Sequence, residues 1–550
     1  MSPRTPSSTI RFVAVLVILA GVCAGAAPIG QQLLTAVKTG DSRTVRQLIT
    51  QGVDVRQAQG DGMTGLHWAA HNDDIEMARV LIGAGATIGA KTRLEAITPL
   101  FLACVNGSPG MIRLLLEAGA DPNGANGLGA TALMQAAASG NVDAVRLLLD
   151  RSTDPNAVEP VRGQTALMFA AALDRAEVIS MLVARGADLN RIGKVSSIGK
   201  PQMDEDGNPI PSNAKDSRTG RGTVANIAAN APRVMGGFSA LHYAARDGKT
   251  AAMRTLVEAG ADVNAVTAGD SSSALVVAIS NGHFDIARYL VERKADPNVK
   301  NVDGLAALYA VLEAQWSPAT ATLRPITAQD ITTHLELMKL LLDRGADPNA
   351  RITKQLWFSP LHANSMWVKP VGATPFWRAA QATDVAAMKL LVAHGADPKL
   401  QSAAQDTPLH MAAGVGWAGN FSTNAPEGFM PSVKHLVEEI GIDVNAVDTQ
   451  GYTAVMGAAF RGDNAVIQYL VDHGADLKAR TAIGWVVTDF ANAPSLRSSV
   501  PLAHPDTIAL LRKLGAPELT KVDDEEILGI IKRKIPDPKK PPEGQDKKPK

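Results

Sequence analysis

The phrase Gly-Ala-Asp-Pro-Asn, with small variations, recurs along this chain at a nearly fixed spacing. Its third position falls at Asp54, Thr87, Asp121, Asp154 and Asp188, at intervals of 33, 34, 33 and 34 residues. It returns at Asp262, Asp296, Asp347, Asp397, Asp443, Asp476 and Pro517, at intervals of 74, 34, 51, 50, 46, 33 and 41, each one or two periods plus an insert. A repeat of this length cannot bury its apolar face alone, so stability has to come from stacking each unit on its neighbours.

A second phrase follows about ten residues after most markers: Thr64-Gly-Leu-His, Thr98-Pro-Leu-Phe, Thr131-Ala-Leu-Met, Thr165-Ala-Leu-Met, Ser239-Ala-Leu-His, Thr407-Pro-Leu-His and Thr453-Ala-Val-Met. In TALMQAAASGNVDAVRLLLDRS, Thr131 is placed to cap a helix whose face is kept narrow by Leu133, Ala136 and Ala137. Gly140 ends that helix, and Val145, Leu148 and Leu149 give a second one its apolar stripe. In most units a Gly after the second helix supplies a left-handed stop, and the Asp-Pro-Asn behind it favours a tight turn.

These residues resemble the ankyrin repeat. The resemblance covers residues 30 to 518 in about twelve units, although several carry Ala for the family's Pro and Met or Phe for its His. It implies an all-α solenoid of paired helices joined by β-turn fingers. Gln31 to Gln51 lacks the Thr-Pro-Leu-His phrase and is expected to cap the N-terminal end, and a loose unit near Gly484 to Pro517 to cap the other.

Three regions are expected: an export signal over residues 1–27, the repeat array over 28–518, and a Lys/Pro-rich tail over 519–550. Arg4 and Arg11 precede an apolar run from Phe12, and Ala24-Gly25-Ala26 offers small residues for cleavage. The expected location is periplasmic or extracellular, with an uncleaved N-terminal anchor as the alternative. Cleavage removes Cys23 and leaves Cys104 as the sole cysteine, so no intramolecular disulfide is expected. Fifty-four basic residues balance 54 acidic ones, and nothing points to nucleic acid. The tail, biased toward Lys and Pro, has the composition of a disordered segment.

Several strings imitate chemistry. Gly414-Val-Gly416-Trp-Ala-Gly419 spells a dinucleotide fingerprint but follows a helix instead of a strand. His67 and His71 have metal-ligand spacing, yet His67 fills the repeat's own His slot, where a hydrogen bond to the capping Thr or a neighbouring unit is expected. His394 and His473 close second helices, where a partial positive charge suits the dipole. Asp204-Glu-Asp-Gly-Asn lacks the spacing of a calcium loop. Cys104 sits where a first helix buries a small residue. The reading from sequence is therefore a non-enzyme with no metal and no cofactor.

The inserts lie near 191–235, 315–332, 351–373 and 414–431, and the last three fall in consecutive units. Five of the seven tryptophans fall in the stretch of those three units, Trp377 in a regular helix and Trp316, Trp357, Trp367 and Trp417 on inserts. Aromatic side chains on loops offer large contact area at little entropic cost. The expected function is a monomeric protein-protein interaction scaffold that binds a protein or peptide along its concave groove. Trp316, Trp357, Phe358, Trp367, Trp377, Arg378 and Trp417 are the expected contacts. The alternatives are that the inserts pack on one another and on the array, or that they form a small-molecule or glycan pocket.

Overall fold

The computed structural model describes residues 29–197, 234–317, 330–354, 356, 368, 370–417, 422–492 and 503–520. They form twelve helical pairs, numbered here as repeats one to twelve, in two compact units divided at Asp121. The first unit holds Ile29–Lys38 with Ser42–Thr50, Gly65–His71 with Ile75–Gly83, and Pro99–Asn106 with Pro109–Glu117.

The second unit holds repeats four to twelve. Ala132–Ser139 pairs with Val142–Leu149, Ala166–Ala172 with Ala176–Ala184, and Ala240–Arg246 with Thr250–Glu258. Ala274–Ser280 pairs with Phe284–Glu292, Ala307–Gln315 with His334–Asp343, and Pro375–Gln381 with Val385–Ala393. Pro408–Ala413 pairs with Phe429–Lys434, which continues as a π-helix over His435–Glu439. Ala454–Arg461 with Asn464–Asp472 and Val487–Ala491 with Pro505–Lys513 complete the series.

The expected all-α repeat architecture is present, with one small addition. Val195–Ser197 and Val234–Gly236 pair antiparallel, Ser196 opposite Met235, and close the base of the first insert. The Asp204 loop, the export signal and the tail from residue 521 lie outside the described residues.

Local chemistry explains each pair. Thr98, Thr131, Thr165, Thr374 and Thr407 accept the backbone N–H three residues on, capping their helices. The Ala-Ala pairs 69–70, 136–137, 170–171, 244–245, 379–380, 412–413 and 458–459 are buried, and their small side chains let neighbouring first helices approach closely. Second helices run into left-handed residues such as Gly85, Gly186, Gly345 and Gly474. Cys104 is fully buried and burial pushes its thiol up, which suits packing and not nucleophilic attack.

Histidines tie one repeat to the next. His67 Nδ1 accepts the Thr64 N–H at 3.1 Å, which leaves Nε2 to donate to the Ile97 carbonyl at 3.0 Å. His242 makes the same pair of bonds to Ser239 N–H (3.3 Å) and Ser272 O (3.2 Å), and His410 to Thr407 N–H (3.1 Å) and Tyr452 O (2.9 Å). In each case the accepting carbonyl belongs to the residue just before the next repeat's capping Thr or Ser. His394 and His473 turn Nδ1 onto carbonyls of their own helix ends, Leu390 O at 2.9 Å and Tyr469 O at 2.8 Å.

Two further ladders run along the second unit. Neighbouring fingers are joined backbone to backbone: Arg162 O to Lys194 N, Gly237 O to Ala268 N, Asp270 O to Val302 N and Asp303 O to Thr353 N. The marker asparagines form the other. Asn298 donates to Gly345 O (2.8 Å) and accepts from Asp347 N (2.7 Å), and Asn349 does likewise with Gly395 O (3.0 Å) and Asp397 N (2.8 Å).

Burial pushes the His242 imidazole down to about 4, so the folded chain holds it neutral. Its stabilising contribution is full above the unfolded value of 6.5 and is lost as pH falls toward 4, at most about 3 kcal/mol. Urea unfolding of the wild type is expected to weaken over that window. His242→Leu, which orphans the Ser272 carbonyl, is expected to cost about 1–3 kcal/mol at pH 7.5 and to show a shallower acid dependence.

Candidate functional site: the insert-bearing repeats eight to eleven

Trp377 occupies the slot that His67, His242 and His410 fill elsewhere, because Thr374-Pro-Phe-Trp aligns with Thr407-Pro-Leu-His. Its indole Nε1 donates to the Asp406 carbonyl at 3.2 Å, the same cross-repeat bond that the histidines make. It is 0% exposed. Arg378, beside it, is 1% exposed and projects toward repeat eight. Its Nε donates to Glu313 Oε2 at 2.6 Å and its Nη2 to the Trp316 carbonyl at 2.9 Å. Tyr309 is buried nearby, and burial followed by the Glu313 charge drives its phenol well above the ordinary value. The expectation that Trp377 and Arg378 face a partner is therefore corrected: both are internal braces.

Trp316 is half-buried and also turned inward. Its Nε1 donates to Asp384 Oδ2 at 3.0 Å, and His334 Nε2 meets the same oxygen at 2.9 Å. The two rings stand edge-on with centroids 5.7 Å apart. Asp384 Oδ1 caps its own helix by accepting Ala387 N–H at 2.9 Å. Burial opposes ionisation of Asp384, but the bonds from His334, Ala387 and Trp316 outweigh it and hold the carboxyl below its usual range. Trp316 and His334 stand at the two ends of the repeat-eight insert, so Asp384 of repeat nine pins both ends.

The repeat-ten insert returns across its neighbours. Thr423 Oγ1 donates to Ser317 O at 2.7 Å, Asn424 Nδ2 to Gln381 O at 3.2 Å, and Ala425 N to Ala382 O at 2.8 Å. Half-buried Trp417 lines a cavity with Arg378, Met411, Thr423 and Phe429 of only about 10 Å³, room for about one water. Trp357, Phe358 and Trp367 lie outside the described residues. Among the described residues, the inserts pack on one another and on the array, and their cavity is too small for a sugar or metabolite.

A second polar centre lies between the fingers leading into repeats ten and eleven. Asp406, 1% exposed, accepts Ser402 Oγ at 2.8 Å. Asp448 accepts Gln450 N–H at 2.9 Å and Tyr452 N–H at 2.8 Å. Burial and the adjacent Asp448 carboxylate push the Asp406 carboxyl up to about 7, while burial lowers the neighbouring His410 imidazole. Two neighbouring carboxyl groups in the dry interior resist ionising together, which favours the protonated form of Asp406.

Neither the Glu313–Arg378 pair nor the Asp406–Asp448 pair follows from the repeat phrase. The one sequence signal was opposite charges inside two consecutive first helices, ALYAVLEAQ and PFWRAAQ.

Arg378→Met is expected to cost about 3–5 kcal/mol in urea unfolding, because it leaves Glu313 buried without compensation. The double variant Arg378→Met/Glu313→Leu is expected to regain most of that loss. Asp406, held protonated in the folded chain, favours folding below about pH 4, and this contribution is lost as pH rises through about 7. Asp406→Asn is therefore expected to flatten the decline in unfolding free energy between pH 5 and pH 8.

A family model described as Ankyrin repeats (3 copies) matches residues 33–126, 118–192, 222–301 and 376–481, more than half of the chain. Curated relatives include "Palmitoyltransferase Hip14" of Drosophila melanogaster, 38% identical over 93 residues, which are 17% of this chain and 15% of that protein. "Palmitoyltransferase ZDHHC13" of Mus musculus is 34% identical over 101 residues, 18% of this chain and 16% of that one. "Alpha-latrocrustotoxin-Lt1a" of Latrodectus tredecimguttatus is 26% identical over 212 residues, 38% of this chain and 13% of that one. The chain thus spans less than a sixth of the length of each of these relatives. The matching segments, the stacked helical pairs and the histidine ties agree: the chain belongs to the ankyrin-repeat family.

Proposed function

We propose that this chain is a non-catalytic scaffold that binds a partner protein through the finger rim of its second unit. One observation carries the reading. Leu128, Val161, Val195, Val266 and Val302 stand on successive fingers and are 51, 63, 45, 40 and 42% exposed. The backbone bonds between fingers, and the close approach of Gly129 to Pro160, hold these tips side by side. A row of exposed aliphatic side chains on a rigid rim is the kind of surface that marks a protein contact. Ankyrin repeats bind proteins in general, and the exposed row supports the finger rim as the surface this chain uses.

The same proposal places the protein outside the cytoplasm, in the cell envelope or beyond. The support is the charged start, apolar run and small-residue cleavage site of residues 1–27. Among the described residues no helix is long and apolar enough to cross a membrane.

The test uses the full chain carrying a photocrosslinking residue at position 161, expressed in its own cells. Light is expected to join it to one discrete envelope partner, with the recovered scaffold beginning at Ala27. Val161→Glu/Val302→Glu is expected to lower that recovery at least tenfold, about 1.4 kcal/mol, while thermal unfolding stays within about a degree. Unchanged recovery by the double variant would sink the rim as the contact surface. A mature protein starting at Met1 would sink cleavage.

A further inference from the structure

The asparagine ladder of the second unit has a gap. Asn156, Asn190, Asn264, Asn298, Asn349 and Asn445 each accept the backbone N–H of the next marker's Asp, at 2.7–3.0 Å. Asn156, Asn298, Asn349 and Asn445 also donate to the next marker's Gly carbonyl, at 2.8–3.0 Å. Between Asn349 and Asn445 the marker reads Gly395-Ala-Asp-Pro-Lys399. Lysine has no acceptor and cannot take the place of a carboxamide. Nothing among the described residues hydrogen-bonds the Gly441 carbonyl or the Asp443 N–H, and the Lys399 ammonium makes no bond or ion pair. In the first unit the corresponding positions hold Arg56 and Gly89, and no such ladder is built there.

The gap coincides with a groove. An open cleft of about 240 Å³ lies at this junction, lined by Lys399, Gln401, Thr407, Gly441, Ile442 and Asp443. It is smaller than the 300–1,000 Å³ typical of sites for drug-sized molecules, and large enough for one side chain. On its wall the solvent-exposed Gly441 carbonyl and Asp443 N–H have no partner among the described residues, and they hold the marker positions that a carboxamide bridges at the neighbouring junctions. A carboxylate would accept from Asp443 N–H and pair with Lys399, but its second oxygen would face the Gly441 carbonyl and the Asp443 carboxylate. An amide, with one donor end and one acceptor end, satisfies both backbone groups.

We propose that this groove is a carboxamide subsite, filled by an asparagine or glutamine side chain presented by a protein partner. The partner part of the proposal rests on the protein-binding reading above; the amide chemistry does not.

The experiment uses the full chain labelled with ¹⁵N-aspartate, titrated with N-acetylasparagine methylamide to tens of millimolar, the range expected for two modest hydrogen bonds. The Asp443 amide resonance is expected to shift saturably, whereas Asp347, Asp397 and Asp476, already served by the ladder, stay still. N-acetylaspartate methylamide is expected to bind at least about threefold more weakly. Lys399→Asn supplies the missing amide from within the chain, so it is expected to abolish the response and raise the melting temperature. Lys399→Ala keeps the gap open and is expected to retain the response. An unmoved Asp443 resonance overturns the subsite. So does equal binding by wild type and Lys399→Asn, tighter binding of the acid than the amide, or loss of the response in Lys399→Ala. Amide binding with no crosslinked partner leaves the subsite standing and counts only against the protein-binding reading.

Discussion

No helical pair in this chain can hide its own apolar face, so everything else depends on how one pair is held against the next. Alanine pairs such as Ala136–Ala137 and Ala244–Ala245 allow the close approach, but small apolar surfaces slide easily. The cross-repeat hydrogen bonds fix the register. A histidine or indole N–H is aimed at one particular carbonyl, the residue before the next cap, and misplacement by one residue leaves both groups buried and unpaired. Burial by stacking and register by polar ties are separate jobs, and the first helix encodes both within seven residues, as from Thr407 to Ala413.

That division explains what could be read from the sequence. The period, the caps and the glycine stops depend on residues within one repeat, so the spacing exposes them, and the histidine ties are implied by the resemblance to the ankyrin repeat. The role expected of Trp377 and Arg378, contact with a partner, is not the one they have in the structure. Trp377 belongs to a regular helix by sequence and is still counted among the expected contacts, although Thr374-Pro-Phe-Trp puts it in the histidine slot. An indole N–H donates as an imidazole N–H does, and its bulk is accommodated in a position that is 0% exposed. The Glu313–Arg378 contact joins residues 65 apart, and an insert lies between them, so no periodicity could align them. Asp406 and Asp448 meet because of finger register, which a local pattern does not report.

Repeats eight to eleven are where the polar content of the core is concentrated. The buried ion pair and the Asp384 hub occur where inserts interrupt the period, and the Asp406–Asp448 centre lies on the regular fingers beside them. Insertions lengthen loops, and loops bring polar backbone that has to be satisfied. Here Arg378 and Thr423 donate to the Trp316 and Ser317 carbonyls at the start of the repeat-eight insert. The aromatic enrichment that drew attention to this stretch is, among the described residues, largely the cost of closing those loops. Ile331 in the repeat-eight insert is 88% exposed, but the exposed apolar row of Leu128, Val161, Val195, Val266 and Val302 lies before these inserts, on the fingers of repeats four to eight.

The two titrating centres of the second unit respond to acid in opposite directions. His242 is comfortable only when neutral and Asp406 only when protonated. In a fold where each repeat leans mainly on its neighbours, local stability need not be shared along the chain. Acid therefore weakens the histidine ties at both the six–seven and the ten–eleven junctions, whereas a rise of pH through about 7 weakens the Asp406 centre at the ten–eleven junction alone of the two. The strength of each seam in the stack is thus set in part by the proton concentration around it.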